Sequence, residues 1–97
     1  MNLLTRSLKA KFPRLMATDN IKLKNVKVIC KFFLPGTQWC WYPFEFDGKD
    51  TFFGLVEGVT KELGYFTYDD LRQRKGPAGL KVERDKFFSS CKLSELL

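Results

Sequence analysis

The sequence predicts an α+β fold: an antiparallel sheet of about four to five strands with two or three short helices, in a single domain spanning residues 1–97. Three observations carry this. Apolar and polar residues alternate with period two in several short runs. Those runs are separated by turn chemistry such as Pro35-Gly36 and Asp47-Gly48. Ten Phe in 97 residues suit a compact, sheet-rich core. A chain of this length buries roughly 60–65% of the surface its unfolded form exposes, enough for one core.

Residues 5–12 read as a short helix. Thr5 can cap it, Leu4, Leu8 and Phe12 share one side, and Pro13 stops it. Arg6, Lys9 and Lys11 fall on the other side. Residues 17–22 read as a loop. Residues 25–34 alternate as one strand, with Val26, Val28, Cys30, Phe32 and Leu34 on an apolar face and Lys27, Ile29, Lys31 and Phe33 on a mixed one. Residues 39–46 form a second strand, with Cys40, Tyr42, Phe44 and Phe46 pointing one way and Trp39, Trp41, Pro43 and Glu45 the other.

The strand over residues 51–57 returns from this one. With Gly48-Lys49 as a two-residue loop, Phe44 faces Phe53, Tyr42 faces Leu55, and Pro43 sits across from Gly54, which calls for an edge or a bulge. Residues 62–66 read as another strand. Thr67-x-x-Asp70 resembles a capping box that opens a helix over residues 68–75, and Gly76-Pro77 ends it. Residues 80–83 are a further candidate strand. Phe87, Phe88, Leu93, Leu96 and Leu97 are expected to close the core.

Composition excludes several chemistries. Histidine is absent, which removes His-based nucleophile pairs, His general bases and His metal ligands. Three cysteines, Cys30, Cys40 and Cys91, give no C-x-x-C spacing, so free structural thiols in a reducing cytoplasm are expected. No apolar run reaches the roughly 20 residues that span a membrane, and the first residues lack the apolar content of a signal peptide. No enzyme activity, cofactor, small-molecule substrate or membrane partner is expected.

The net charge of +6 is segregated: residues 1–31 hold eight Lys and Arg against Asp19, residues 32–70 hold two Lys against seven acids, and residues 71–97 hold seven Lys and Arg against three acids. Either the basic ends neutralise the acidic middle or the surface is bipolar.

Four constellations stand out. Glu45, Asp47 and Asp50 could hold a hard cation, or be a solvated turn. Trp39 and Trp41 share one strand side. Left exposed, they form a surface for bases or a protein partner; covered by a helix, they are core. Lys27 and Lys31, and Arg72, Arg74 and Lys75 with Lys81, Arg84 and Lys86 nearby in sequence, form a basic set for nucleic acid or a solvated surface. Glu83-Arg84-Asp85 reads as a structural ion-pair cluster. The candidate partner-binding residues are therefore Lys27, Lys31, Trp39, Trp41, Arg72, Arg74, Lys75 and Arg84. The expected face joins the Trp pair to Lys27 and Lys31, because strands linked by a short turn are neighbours.

Four stretches occur together in order: Trp39-x-Trp41-Tyr42-x-x-Glu45-Phe46-Asp47; Asp50-Thr51-Phe52-Phe53-Gly54-Leu55-Val56-x-Gly58; Glu62-Leu63-Gly64-Tyr65-Phe66; and Gly76-Pro77-x-Gly79-Leu80-x-Val82-Glu83-Arg84-Asp85. With Leu3-Leu4-Thr5 and Leu93-Ser94-Glu95-Leu96, the chain resembles the bacterial and plasmid-borne family called domain of unknown function 2958. The resemblance implies a small accessory product of a mobile genetic element, and no established activity comes with it. The chain departs from the family pattern in its basic N-terminal third and its short Asp-Gly-Lys-Asp hairpin. The expected function is a non-catalytic binding protein that blocks a host defence protein or nucleoprotein complex, in the manner of anti-CRISPR or anti-restriction inhibitors, by covering a surface. The alternatives are a nucleic-acid-binding accessory protein and, less favoured, a small metal-dependent hydrolase.

Overall fold

The computed structural model describes residues 2–97. In chain order the elements are α1 (Arg6–Lys9), β1 (Lys27–Val28), β2 (Phe32–Phe33), β3 (Cys40–Phe46), β4 (Thr51–Glu57), β5 (Lys61–Thr67), α2 (Tyr68–Gln73), β6 (Glu83–Arg84) and β7 (Cys91–Lys92). Short 3-10 turns lie at Leu23–Asn25, Pro77–Gly79 and Leu93–Glu95. β5, β4, β3, β2 and β6 form a five-stranded antiparallel sheet in that order, and β1 pairs with β7 in a separate two-stranded ribbon. The α+β prediction holds. No helix among the described residues is long and apolar enough to cross a membrane.

Both faces of the sheet are covered. One carries Phe32, Trp41, Phe46, Phe52 and Phe66 under Leu3, Leu4, Leu71 of α2 and Val82. The other carries Tyr42, Phe44 and Leu55 under Val26 and Val28 of β1 and Leu93 of the last turn. In-register pairing of Phe46 with Phe52 and of Phe52 with Phe66 lays three stacked rings across three strands, with centroids 4.4 and 5.4 Å apart. Each fully buried Phe contributes about 1.5–3 kcal/mol by burial, so this ladder anchors the hairpins.

The β3–β4 turn differs from its expected form. The Asp47 carboxylate accepts the N–H groups of Lys49, Asp50 and Thr51 at 2.8, 2.8 and 3.0 Å. Gathering three amides lengthens the loop to Gly48, Lys49 and Asp50, with Gly48 at φ +87° and Asp47 N–H donating to the Thr51 carbonyl. A bulge between Pro43 and Glu45 then takes up the extra residue: Glu45 faces Phe53, while Pro43 faces Gly54 and Tyr42 faces Leu55 as expected. Phe44 still meets Phe53, edge to face at 5.4 Å. The bulge reverses side-chain parity. Phe46 therefore joins the Trp41 side instead of the Tyr42 side, and every residue from Trp41 to Phe46 is buried.

The expected single strand over residues 25–34 is two strands. Leu23–Asn25 is a 3-10 turn, β1 leaves the main sheet to pair with β7, and Ile29 N–H bonds the Pro43 carbonyl as the chain turns the corner into β2. Its apolar alternation is real but serves both cores: Val26 and Val28 lie in one, Cys30, Phe32 and Leu34 in the other. The caps fall where expected. Thr5 Oγ1 accepts from Leu8 N–H and Thr67 Oγ1 from Asp70 N–H, although the helices are shorter than their patterns. Phe87 and Leu97 are exposed rather than core.

Candidate functional site

The residues most expected to bind a partner do not form one surface. Trp41 is 2% exposed and packs in the core with Leu71 of α2. Trp39 stacks on it at 6.0 Å, half-buried, and the Arg74 guanidinium lies 6.0 Å from the Trp39 ring and 5.6 Å from the Trp41 ring. A Cβ at Gly58 would meet the Trp39 ring at 2.4 Å, so a larger residue there would have to displace the indole. Trp41 is therefore core, while Trp39 keeps part of its ring at the surface beside it.

The expected joining of the Trp pair to Lys27 and Lys31 fails on register. Phe32 pairs with Trp41, which puts Trp41 on the Phe32 side and Lys31 on the opposite one. There the Lys31 ammonium sits 5.8 Å from the Tyr42 ring, and β1 carries Lys27 out of the sheet.

The α2 cations serve the helix. Arg72 pairs with Asp69 at 3.1 Å and lies over the Tyr68 ring at 4.7 Å, and Arg74 pairs with Asp70 at 3.0 Å. Lys75 is exposed and bridges to Lys81 on the far side of the Pro77–Gly79 turn.

The three carboxylates near the hairpin are engaged separately. Asp47 closes its own turn. Burial pushes its carboxyl up, but the N–H bonds from Asp50, Lys49 and Thr51 outweigh that and hold it below the usual carboxylate range. Asp50 accepts the Asp69 N–H at 2.9 Å at the start of α2. Glu45 is 2% exposed. It accepts Met16 N–H at 2.9 Å, Thr18 N–H at 3.1 Å and the Thr18 hydroxyl. Among the described residues no three His, Cys, Asp or Glu side chains are grouped to hold a metal ion.

Glu45 instead builds a wall. It pulls the backbone of residues 16–18 onto the sheet, and Phe46 N–H fixes the Pro13 carbonyl at 2.9 Å. The segment thus held is one side of an open cleft of about 670 Å³. β1 and the corner after it supply Lys27 and Ile29, and the chain after β6 supplies Arg84, Asp85, Lys86 and Phe88.

Lys11, Lys27, Arg84 and Lys86 all line this cleft, with Asp85 as its carboxylate. Arg84 donates to the Leu3 carbonyl at 2.8 Å, which fixes the guanidinium. Asp85 Oδ1 accepts the Phe87 N–H at 2.9 Å. Glu83, Arg84, Asp85 and Lys86 also line a neighbouring hollow of about 450 Å³ with Lys31, Phe33 and Phe87. Phe87 stands at its edge, 96% exposed.

Of the residues singled out in the sequence, Lys27, Lys31, Arg84 and Lys86 are brought to this region. Lys11 and Phe87 are added by the fold. Their one signal in the sequence is the charge segregation: cations from the two basic ends meet each other across the cleft, while acids of the middle segment bond backbone or α2.

The thiols are free, with Cys30 buried and Cys40 and Cys91 half-buried. Burial pushes the Cys30 thiol up to about 12, against a smaller opposing pull from Arg84. No curated protein and no solved structure matches the chain. The model of the family described as protein of unknown function, DUF2958, matches residues 3–97, and the chain belongs to that family.

Proposed function

We propose that the protein is a non-catalytic nucleic-acid-binding accessory protein that works through the basic cleft. The observation that carries this reading is the convergence of Lys11, Lys27, Arg84 and Lys86 on one open, partly apolar cleft. Cations spaced along a groove neutralise successive phosphates, and the aliphatic floor of Leu8, Pro13, Ile21 and Ile29 suits the flat apolar parts of sugars and bases. Phe87 and Phe33, beside Lys31 and Lys86, offer stacking next to phosphate contacts. An accessory role on a mobile genetic element agrees with the family resemblance.

The test is fluorescence anisotropy of labelled single-stranded and duplex oligonucleotides over a salt series. Three or four phosphate contacts predict a log–log slope of roughly −2 to −3.5. Lys27→Ala with Lys86→Ala should weaken binding and flatten the slope by about 1–2. Absence of binding, or variants indistinguishable from wild type, refutes the reading.

A second reading is occlusion of a host defence complex through protein contacts. It draws support from Phe87, since an aromatic side chain standing in solvent is the kind of anchor protein interfaces use. Binding of such a partner that resists salt but is lost in Phe87→Ala would favour it.

A further inference from the structure

We propose that the outer edge of β5 is a self-pairing surface, through which two copies of this chain join into one continuous ten-stranded sheet. β5 ends the main sheet, pairs along its whole length with β4, and has no strand on its other side among the described residues. Antiparallel strands alternate between hydrogen-bonded and non-bonded pairs. Tyr68 N–H donates to the Asp50 carbonyl at 2.8 Å, which sets the phase. Glu62, Gly64 and Phe66 direct their main-chain groups at β4, and Lys61, Leu63, Tyr65 and Thr67 direct theirs outward. The edge carries neither a proline nor a bulge, two of the usual devices that keep such edges unpaired.

The occupant follows from the sequence of the edge. Antiparallel pairing of β5 with its own copy about a twofold axis at Gly64 sets Leu63 against Tyr65 of the second chain and Lys61 against Thr67, each twice. Those are the residues whose N–H and C=O groups point outward, so the edge gains partners along its length up to Thr67, the N-cap of α2, whose carbonyl serves the helix. A shift of the axis to residue 63 or 65 leaves an end unpaired.

The side chains agree with this register. Leu63 and Tyr65 are 40% and 63% exposed on one face, and the pairing puts these apolar groups together. Lys61 meets Thr67 and Glu62 meets Phe66, so no like charges are directly opposed. Gly64 meets Gly64 on the axis, and the space around it is open, with nothing within 4 Å of an added Cβ. Such an interface is isologous and closes as a dimer. It is separate from the basic cleft, so either proposal stands or falls alone.

Sedimentation across a concentration series, in salt high enough to screen two +6 chains, should give a reversible dimer of twice the chain mass. Leu63→Lys with Tyr65→Lys sets ammonium against ammonium across the seam and should weaken that dimer roughly tenfold or more. Gly64→Cys is the register test. It should form an intermolecular disulfide under mild oxidation, because the two residues face each other at the axis. Glu62→Cys, which faces Phe66, and the wild-type thiols should not. A wild-type chain that stays monomeric to millimolar concentration, its edge left to a strand of some other protein, overturns the proposal. So does a dimer indifferent to the two lysines, or a crosslink at residue 62 in preference to 64.

Discussion

Glu45→Ala tests whether one buried carboxylate holds the cleft wall in place. The side chain accepts three donors: the Met16 and Thr18 amides and the Thr18 hydroxyl. A buried donor left without a partner costs about 1–3 kcal/mol. The three will not cost alike. Met16 is exposed, so its amide reaches water after a small shift, and the Thr18 hydroxyl can rotate. The Thr18 amide is buried and has no such route. The sum is therefore about 2–4 kcal/mol rather than three full penalties. For a domain of this size that lowers Tm by roughly 4–8 °C per kcal/mol.

Glu45→Gln keeps one acceptor oxygen but turns an NH₂ group toward an N–H donor, and should cost about 1–2 kcal/mol. Urea unfolding of the three proteins gives the stabilities. Amide exchange at residues 16 and 18 shows whether the wall has loosened, and oligonucleotide affinity should fall with it. A stability loss under about 1 kcal/mol for Glu45→Ala, with those amides still protected, would refute the argument.

The remaining predictions concern backbone contact and thiol chemistry. Gly54→Ala should be strongly destabilising, because its Cβ would lie 2.3 Å from the Tyr42 carbonyl oxygen and 2.6 Å from Pro43 Cα. Gly64→Ala meets nothing and should be neutral or slightly stabilising in thermal unfolding; equal costs would show that the bulged register is wrong. Cys30 should be the last thiol alkylated at pH 8, since a group ionising at about 12 is thiolate in only about one molecule in ten thousand there. Its folded value lies above the ordinary 9.0, so its contribution is full below about pH 9 and is lost as pH rises toward 12. Cys30→Ser should reduce that alkaline slope in a pH series of unfolding curves.

Much of the fold was written locally. β4 spans residues 51–57 as its alternation says, α2 opens on Thr67, and α1 opens on Thr5, because caps and period-two patterns depend on residues within a few positions of each other. The presence of Asp-Gly was enough for a hairpin, but not for its loop length. That length depended on how many amides the Asp47 carboxylate gathered.

What the sequence by itself determined is therefore the three long strands of the central meander, where the helices begin, that the ends are basic, and that His chemistry is closed; the short strands β1, β2, β6 and β7 took their bounds from tertiary pairing. What only the tertiary structure decided is which face each residue occupies and which distant segments meet. Alternation states parity but not side, and one extra residue at Phe44 sent Phe46 to the opposite core. The pairing of Phe32 with Trp41 buried the indole that local pattern left free to face solvent. The corner at Ile29 and the anchor at Glu45 brought Lys11, Lys27, Arg84 and Lys86 to one cleft from three separate stretches of chain. Those outcomes rest on pairings between residues far apart in the chain, whose energies no local window contains.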